Sequence, residues 1–160
     1  MSTRAINFFG LLLTALVMGV FWGTWFTLTR SLDDFSAGEF LHIGQTVIAN
    51  VAWPMRFLLP ASIALIGWSL VVHPARKSNS FRILVCSLVA MVLTLLITLL
   101  VEVPIDDQIR QWTVDNITAD WTDQRAIWKE YHGWRTLSAV LSFAGYAWAV
   151  LTWPHHTAKA

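Results

Sequence analysis

Charge is scarce in this sequence. Only 13% of the 160 residues are Asp, Glu, Lys or Arg, about half the share found in ordinary soluble domains, so no separate soluble domain fits within the chain. A single cysteine, Cys86, rules out a disulfide framework, a Cys-based metal site and dithiol chemistry. Lying inside an apolar run, Cys86 is expected to be a small buried residue. Low-complexity tracts and internal repeats are absent, and so is the pair of interrupted helices in matching halves that transporters use. The net charge of +1 offers no footprint for nucleic acid.

What the chain has in abundance is apolar residues, 56% of the total, with a mean hydropathy of +0.54. They fall into four segments, Ile6–Leu28, Val51–Val72, Phe81–Val103 and Trp134–Trp153. Each is close to the ~20 residues a helix needs to cross ~30 Å of hydrocarbon. The segments predict an all-α fold, a single integral membrane domain over residues 1–160 built as a four-transmembrane-helix bundle. Ile6–Leu28 is about twice the length of a signal-peptide core and no small-residue cleavage pattern follows it, so it is expected to be the first span. Apart from charges at segment ends, the one charge within a span is Arg56.

The charges between the segments are sorted by sign. All ten carboxylates lie in or at the edge of the stretches 31–50 and 102–133, whereas Arg4, Arg76, Lys77, Arg82 and Lys159 occupy the head, the second connection and the tail with no acid among them. The positive-inside tendency places the acidic stretches outside and both termini in the cytoplasm of a multi-pass protein of the plasma membrane, the inner membrane in a bacterium. Trp22, Trp25, Trp53 and Trp134 sit at outer helix ends and Trp68, Trp148 and Trp153 toward inner ends, where indoles anchor at headgroup level. Lipid is therefore the first partner expected; the oligomeric state is not legible.

Local signals refine the picture. Gly10 and Gly19 permit close approach of a neighbouring helix. The stretch Ser31–Asn50 is too apolar for a free loop and predicts a short helix against the mouth of the bundle. Pro54 and Pro60 should distort the outer half of helix two. Pro104 predicts a bend near Val103 leading into a helix over Ile105–Thr113. From Trp121 to Leu151 nothing stops a helix except Gly133 and Gly145, so the fourth helix is expected to project beyond the membrane by three turns, with Thr118 or Asp120 as its cap.

Along that helix Trp121, Arg125, Trp128, His132 and Arg135 recur at steps of four, three, four and three, which puts them on one stripe. Ala139 and Ser142 continue the stripe with small side chains, leaving space beneath a polar mouth. Glu102 and Asp106, four apart, face this mouth. Arg56 should turn inward to avoid lipid and pair with Glu102 or Asp106. His132, Glu102, Asp106 and His42 are ligand types for a two-His, one-carboxylate metal site, but no His-x-x-His spacing supports one. A bis-histidine haem would need His42, placed in a loop, on a helix facing His132. No cofactor is expected. His73 lies at the inner end, and the tail pair His155-His156 is read as interfacial.

The block Glu102-Val103-Pro104-Ile105-Asp106, then Ile109 and Trp112, then Trp121, Arg125, Trp128, His132 and Arg135, resembles the C-terminal half of the anthrone oxygenase-like family of small membrane proteins. Phe21-Trp22-Gly23 and Pro54-Met55-Arg56 extend the likeness in layout to the first two helices. The resemblance implies a four-helix membrane protein that oxidises a lipophilic aromatic or quinone-like compound with molecular oxygen and without a cofactor. Under it Asp106 or His132 acts as base and Arg135 or Arg56 stabilises an enolate, with Glu102 in the same cluster. Trp128, Trp121 and Arg125 supply the substrate-binding walls. Asp106 stands where many members carry Asn, an amide replaced by a base. The competing expectation is a non-catalytic membrane subunit whose polar cluster is structural. For topology, a reporter fused after Ser78 should read cytoplasmic and one near Asn116 external; the reverse pattern would overturn the charge-based orientation.

Overall fold

The computed structural model describes residues 2–154; the tail residues His155, His156 and Lys159 lie outside the described residues. Five α-helices are present: α1 (Thr3–Thr27), α2 (Ala37–Val71), α3 (Asn79–Ile97), α4 (Val103–Gln111) and α5 (Trp121–Leu151). A 3₁₀ turn over Thr29–Asp34 joins α1 to α2, and a π-helical turn over Thr98–Glu102 fuses α3 to α4. No strand occurs among the described residues.

Serines mark three of the starts. The Ser2 and Ser78 hydroxyls accept from the backbone of Ala5 and Phe81, each satisfying one of the donors a first turn leaves unpaired. At α2, Ser36 and Glu39 form a reciprocal capping box, with the Ser36 N–H donating to the Glu39 carboxylate at 2.9 Å and the Glu39 N–H donating to the Ser36 hydroxyl at 3.4 Å. After so firm a start nothing breaks the helix. The apolar stretch expected as a separate short helix is instead the first third of α2, and Phe40, Leu41 and Ile48 are its buried face. Pro54 and Pro60 lie inside the helix and leave the carbonyls four residues earlier, those of Asn50 and Arg56, without their usual donors. Asp120 does stand before α5, though without a side-chain capping bond.

Helices α1, α2, α3 and α5 form a closed ring: α1 packs on α2 and α5, and α3 packs on α2 and α5. Three continuous helical stretches, Thr3–Asp34, Ala37–Val71 and Asn79–Gln111, are long and apolar enough to cross a membrane. With 31 residues α5 matches them in length, but its first half carries the polar stripe. The all-helical architecture and three such helices are those of a membrane protein.

Two cores stack along the bundle. One joins Val17, Phe21, Met55, Leu59, Ile66, Leu84, Met91 and Tyr146. The other, at the α4 end, joins Leu32, Phe40, Leu41, Ile48, Ile105, Ile109, Trp112 and Trp128, so Trp112 and Trp128 are packing residues rather than membrane anchors. Gln45 ties α2 to the end of α4 by donating to the carbonyls of Ile109 and Trp112, both at 2.9 Å. By contrast Trp22, Trp53, Trp68, Trp134 and Trp148 are exposed on the outside of the bundle, as anchors would be. Cys86 is also exposed, against the expectation of burial: in a span the lipid-facing side is as apolar as the core, so an apolar neighbourhood does not tell one face from the other.

Small residues bring α5 against its neighbours. Ser87 donates to the Ser142 carbonyl at 2.7 Å and Ser142 returns a bond to the Ser87 carbonyl at 2.9 Å, while Ser138 donates to Ala90 at 2.6 Å. Under α1, the Tyr146 ring lies directly on Gly10: a Cβ there would stand 2.6 Å and 2.7 Å from two ring carbons. Gly19, expected to do the same, has nothing within 4 Å. Thermal melts in detergent should therefore separate the two: Gly10→Ala should destabilise by about 1–3 kcal/mol through overpacking, whereas Gly19→Ala should be neutral or stabilising by up to about 1 kcal/mol.

Candidate functional site

The polar stripe of α5 does face inward. Trp128, His132 and Arg135 are buried, and Trp121 and Arg125 are half-buried above them. Opposite lies the π turn. Inward positions on α3 run Ser80, Leu84, Ser87, Met91, Thr94 at steps of four and three; the next buried residue, eight further on, is Glu102, followed by Ile105 and Ile109. A regular helix would bring its inner face round after seven. The extra residue of the π turn delays the register by one and points Glu102 into the bundle, a use of π turns that recurs at functional sites.

Glu102 is fully buried and meets Arg135, whose Nη2 lies 3.0 Å from Oε2. The approach is off the donor axis, so this is an ion contact, and neither carboxylate oxygen receives a hydrogen bond within the protein. The same Nη2 lies 2.6 Å from His132 Nδ1. A guanidinium can only donate, so Nδ1 accepts and the ring proton sits on Nε2, which donates to the Phe21 carbonyl at 3.2 Å. His132 is thereby held as the neutral Nε2–H tautomer with both nitrogens engaged. Thr136 bonds back to the His132 carbonyl at 2.7 Å, and the Arg135 guanidinium lies 4.3 Å from the centre of the Phe21 ring.

Trp128 links this cluster to Asp106. Its ring stacks on His132 at 4.8 Å with the planes 7° apart, and its Nε1–H donates to Asp106 Oδ1 at 3.1 Å. Beside them a cleft of about 500 Å³ opens between α1, α2 and the α3–α4 rod, within the range of small-molecule sites. Its walls are mostly apolar, and Asp106, Trp128, Arg135 and Arg56 all line it.

Four placements differ from those expected. Arg56 is exposed and, among the described residues, pairs with no carboxylate within 4.0 Å. The π turn presents Glu102 to α5, so Arg135 takes the carboxylate that Arg56 was expected to find, and Arg56 stays at the rim of the cleft. The space beneath the stripe is closed, since Ala139 and Ser142 are fully buried and the serine exchange fills the seam there; the opening lies to the side. Trp121 and Arg125 are outside the cleft. Trp121 packs on Phe40 with ring centres 5.6 Å apart. Arg125 lies over the Trp121 ring at 4.8 Å and donates to the carbonyls of Leu32 and Phe35 at 2.9 and 3.2 Å, closing the 3₁₀ turn between α1 and α2.

Lys129 bonds Asp33 on that same turn. Together with Arg125 this contact fastens the turn to α5. His42 is exposed on α2, while His73 lies at the far end against Ser80 and Trp153. Among the described residues no three His, Cys, Asp or Glu side chains gather as a metal site.

Phe21 entered the sequence reading only through the Phe21-Trp22-Gly23 layout; nothing there placed its carbonyl or its ring in the cluster, because one is backbone and the other looks like any apolar residue of a span. Breaking the central pair should be costly. Glu102→Leu leaves the Arg135 charge buried without its counterion and should destabilise by about 3–5 kcal/mol, whereas adding Arg135→Met should recover most of the loss; a single variant that melts like the unmodified protein would refute the pairing.

Searches of curated proteins and of solved structures find no match to the chain. A family model described as anthrone oxygenase matches residues 45–149. The matched region holds Arg56, the π turn with Glu102, Asp106, Trp128, His132 and Arg135, which is every charged or aromatic residue just placed around the ion pair and the cleft apart from Phe21. On this match, which covers well over half of its length, the chain belongs to the anthrone oxygenase family.

Proposed function

We propose that the protein is a four-span membrane oxidoreductase that oxidises a lipophilic aromatic compound of anthrone type with molecular oxygen in the cleft beside Trp128. α5 is its fourth span, and the cleft faces the outer side by the sorting of charges between the spans. The observation that carries this proposal is the placement of a carboxylate and a guanidinium on one largely apolar cleft, Asp106 oriented by Trp128 and Arg135 by His132.

An anthrone has an acidic CH₂ across the central ring from its ketone, conjugated to it through the flanking aromatic rings. Asp106 takes one of its protons, leaving an electron-rich enolate. Arg135 lines the cleft and brings a fixed positive charge to the enolate oxygen. Oxygen accepts electrons from the enolate carbon and adds there; loss of water completes the conversion of CH₂ and O₂ to C=O and H₂O. His132 is a positioning residue here, because Arg135 and the Phe21 carbonyl already occupy its two nitrogens. Trp128 and the aliphatic walls accept a flat ring system, and the site demands no bound cofactor for these steps.

A second function has support from the full burial of Glu102 and His132 behind Arg135: the cluster would then only lock α1, α3 and α5 together in a non-catalytic subunit. Oxygen uptake with anthrone separates the two. Asp106→Asn should lower the rate by about 10²–10⁴-fold with little change in the melting midpoint, since Asp106 makes one hydrogen bond and Glu102 holds the ion pair. Uptake unchanged in Asp106→Asn, together with a lowered midpoint, would favour the structural role and refute the catalytic one.

A further inference from the structure

The cleft is long and graded. Along α2 its lining runs from Val47 to Pro60 and along the α3–α4 rod from Leu95 to Arg110, which at 1.5 Å per residue is about 20 Å on each wall. Asp106, Asp107 and Arg110 stand toward the outer end, whereas Leu59, Pro60, Leu95 and Leu99 line the inner one, with Arg56 between them about one turn from Pro60. Several of these lining residues also face outward: Leu99 is 53% and Val103 37% exposed, and Pro60 is exposed as well. The same side chains therefore belong to the site and to the surface that lies in lipid.

The seam between α2 and α3 is also the one where both helices are irregular, with Pro60 in one and the π turn in the other. The α3/α5 seam, in contrast, is stapled shut by the serine exchange. Arg56 stands at the rim with no carboxylate partner, a cation where the polar and apolar parts of the opening meet.

We propose that the α2/α3 seam is a lateral portal and that the substrate is an amphiphile, an aromatic head with an acidic proton seated beside Trp128 and an apolar tail lying past Leu99 and Pro60 into the bilayer. This rests on the cleft being the active site. Because the tail exchanges lipid for an equally apolar groove, it adds orientation and a route of entry, and little affinity. A tail-free aromatic would reach the same seat by the same door.

Position of the tail is thus the quantity to measure. An anthrone carrying a decyl tail with a diazirine near its end is photolysed with the full chain in nanodiscs, and the labelled residues are mapped by mass spectrometry. Separately, quenching by tail-free anthrone is compared between the unmodified protein and Trp128→Phe to report occupancy of the head site. Label should concentrate on Leu95, Leu99 and Pro60 above Phe9 and Leu141, which are exposed elsewhere on the bundle, and should drop to their level in Leu99→Trp or Val103→Trp. Both replacements sit at exposed positions and leave the core intact. Label spread evenly over the exposed residues, with Trp128 still quenched by tail-free anthrone, would overturn the portal and leave the active site standing. Loss of both signals would overturn both.

Discussion

The buried contact between Glu102 and Arg135 is the constraint around which the α4 end of this bundle is organised. Two opposite charges removed from water hold each other only when their geometry is enforced, because desolvation costs several kcal/mol per ion and one contact seldom offsets it. Here enforcement comes from three sides. The π turn aims Glu102 inward, His132 accepts from the guanidinium, and the Phe21 ring lies beneath it. Each of these elements belongs to a different helix, so the pair sets the relative positions of α1, α3 and α5.

That arrangement decides which groups are spent and which are free. His132 has both nitrogens committed, and Glu102 is sealed behind Arg135. Asp106, one turn beyond Glu102, keeps its contact with the cleft and a single orienting bond from Trp128. Arg56, released from the pairing by Arg135, stays at the rim. A cluster that looks in sequence like one set of interchangeable acids, bases and cations thus divides into a rigid inner tier and a cleft-facing outer one. Above both, Arg125 and Lys129 hold the 3₁₀ turn against α5 and keep that corner of the bundle closed, so the cleft opens on the opposite seam.

Membership of the anthrone oxygenase family covers the part of the chain that builds this division. The chemistry proposed for it asks little of the protein beyond a placed carboxylate, a guanidinium charge and a largely apolar pocket, the roles proposed for Asp106, Arg135 and the cleft beside Trp128. Oxygen and an aromatic substrate both partition into hydrocarbon, which gives a physical reason for such a site to sit in the membrane rather than in a soluble domain.

Hydrophobic periodicity and the scarcity of charge were enough to read the helical class, the ends of α1 and α5 to within a few residues and the inward stripe on α5, since these follow from local composition and from spacings of three and four. Trp121–Leu151 was legible almost to the residue for that reason. The sequence could not say that Ser31–Asn50 would merge into α2, because a capping box and the absence of a stop compete there with an apolar pattern that fits either a separate or a continuous helix. Nor could it choose the partner of Glu102. Arg56 and Arg135 are equally charged on paper, and only the one-residue delay of the π turn and the ring order of the helices, with α3 beside α5, decide between them. Sequence spacing determines which face of a helix a residue occupies; the packing of helices determines what that face meets.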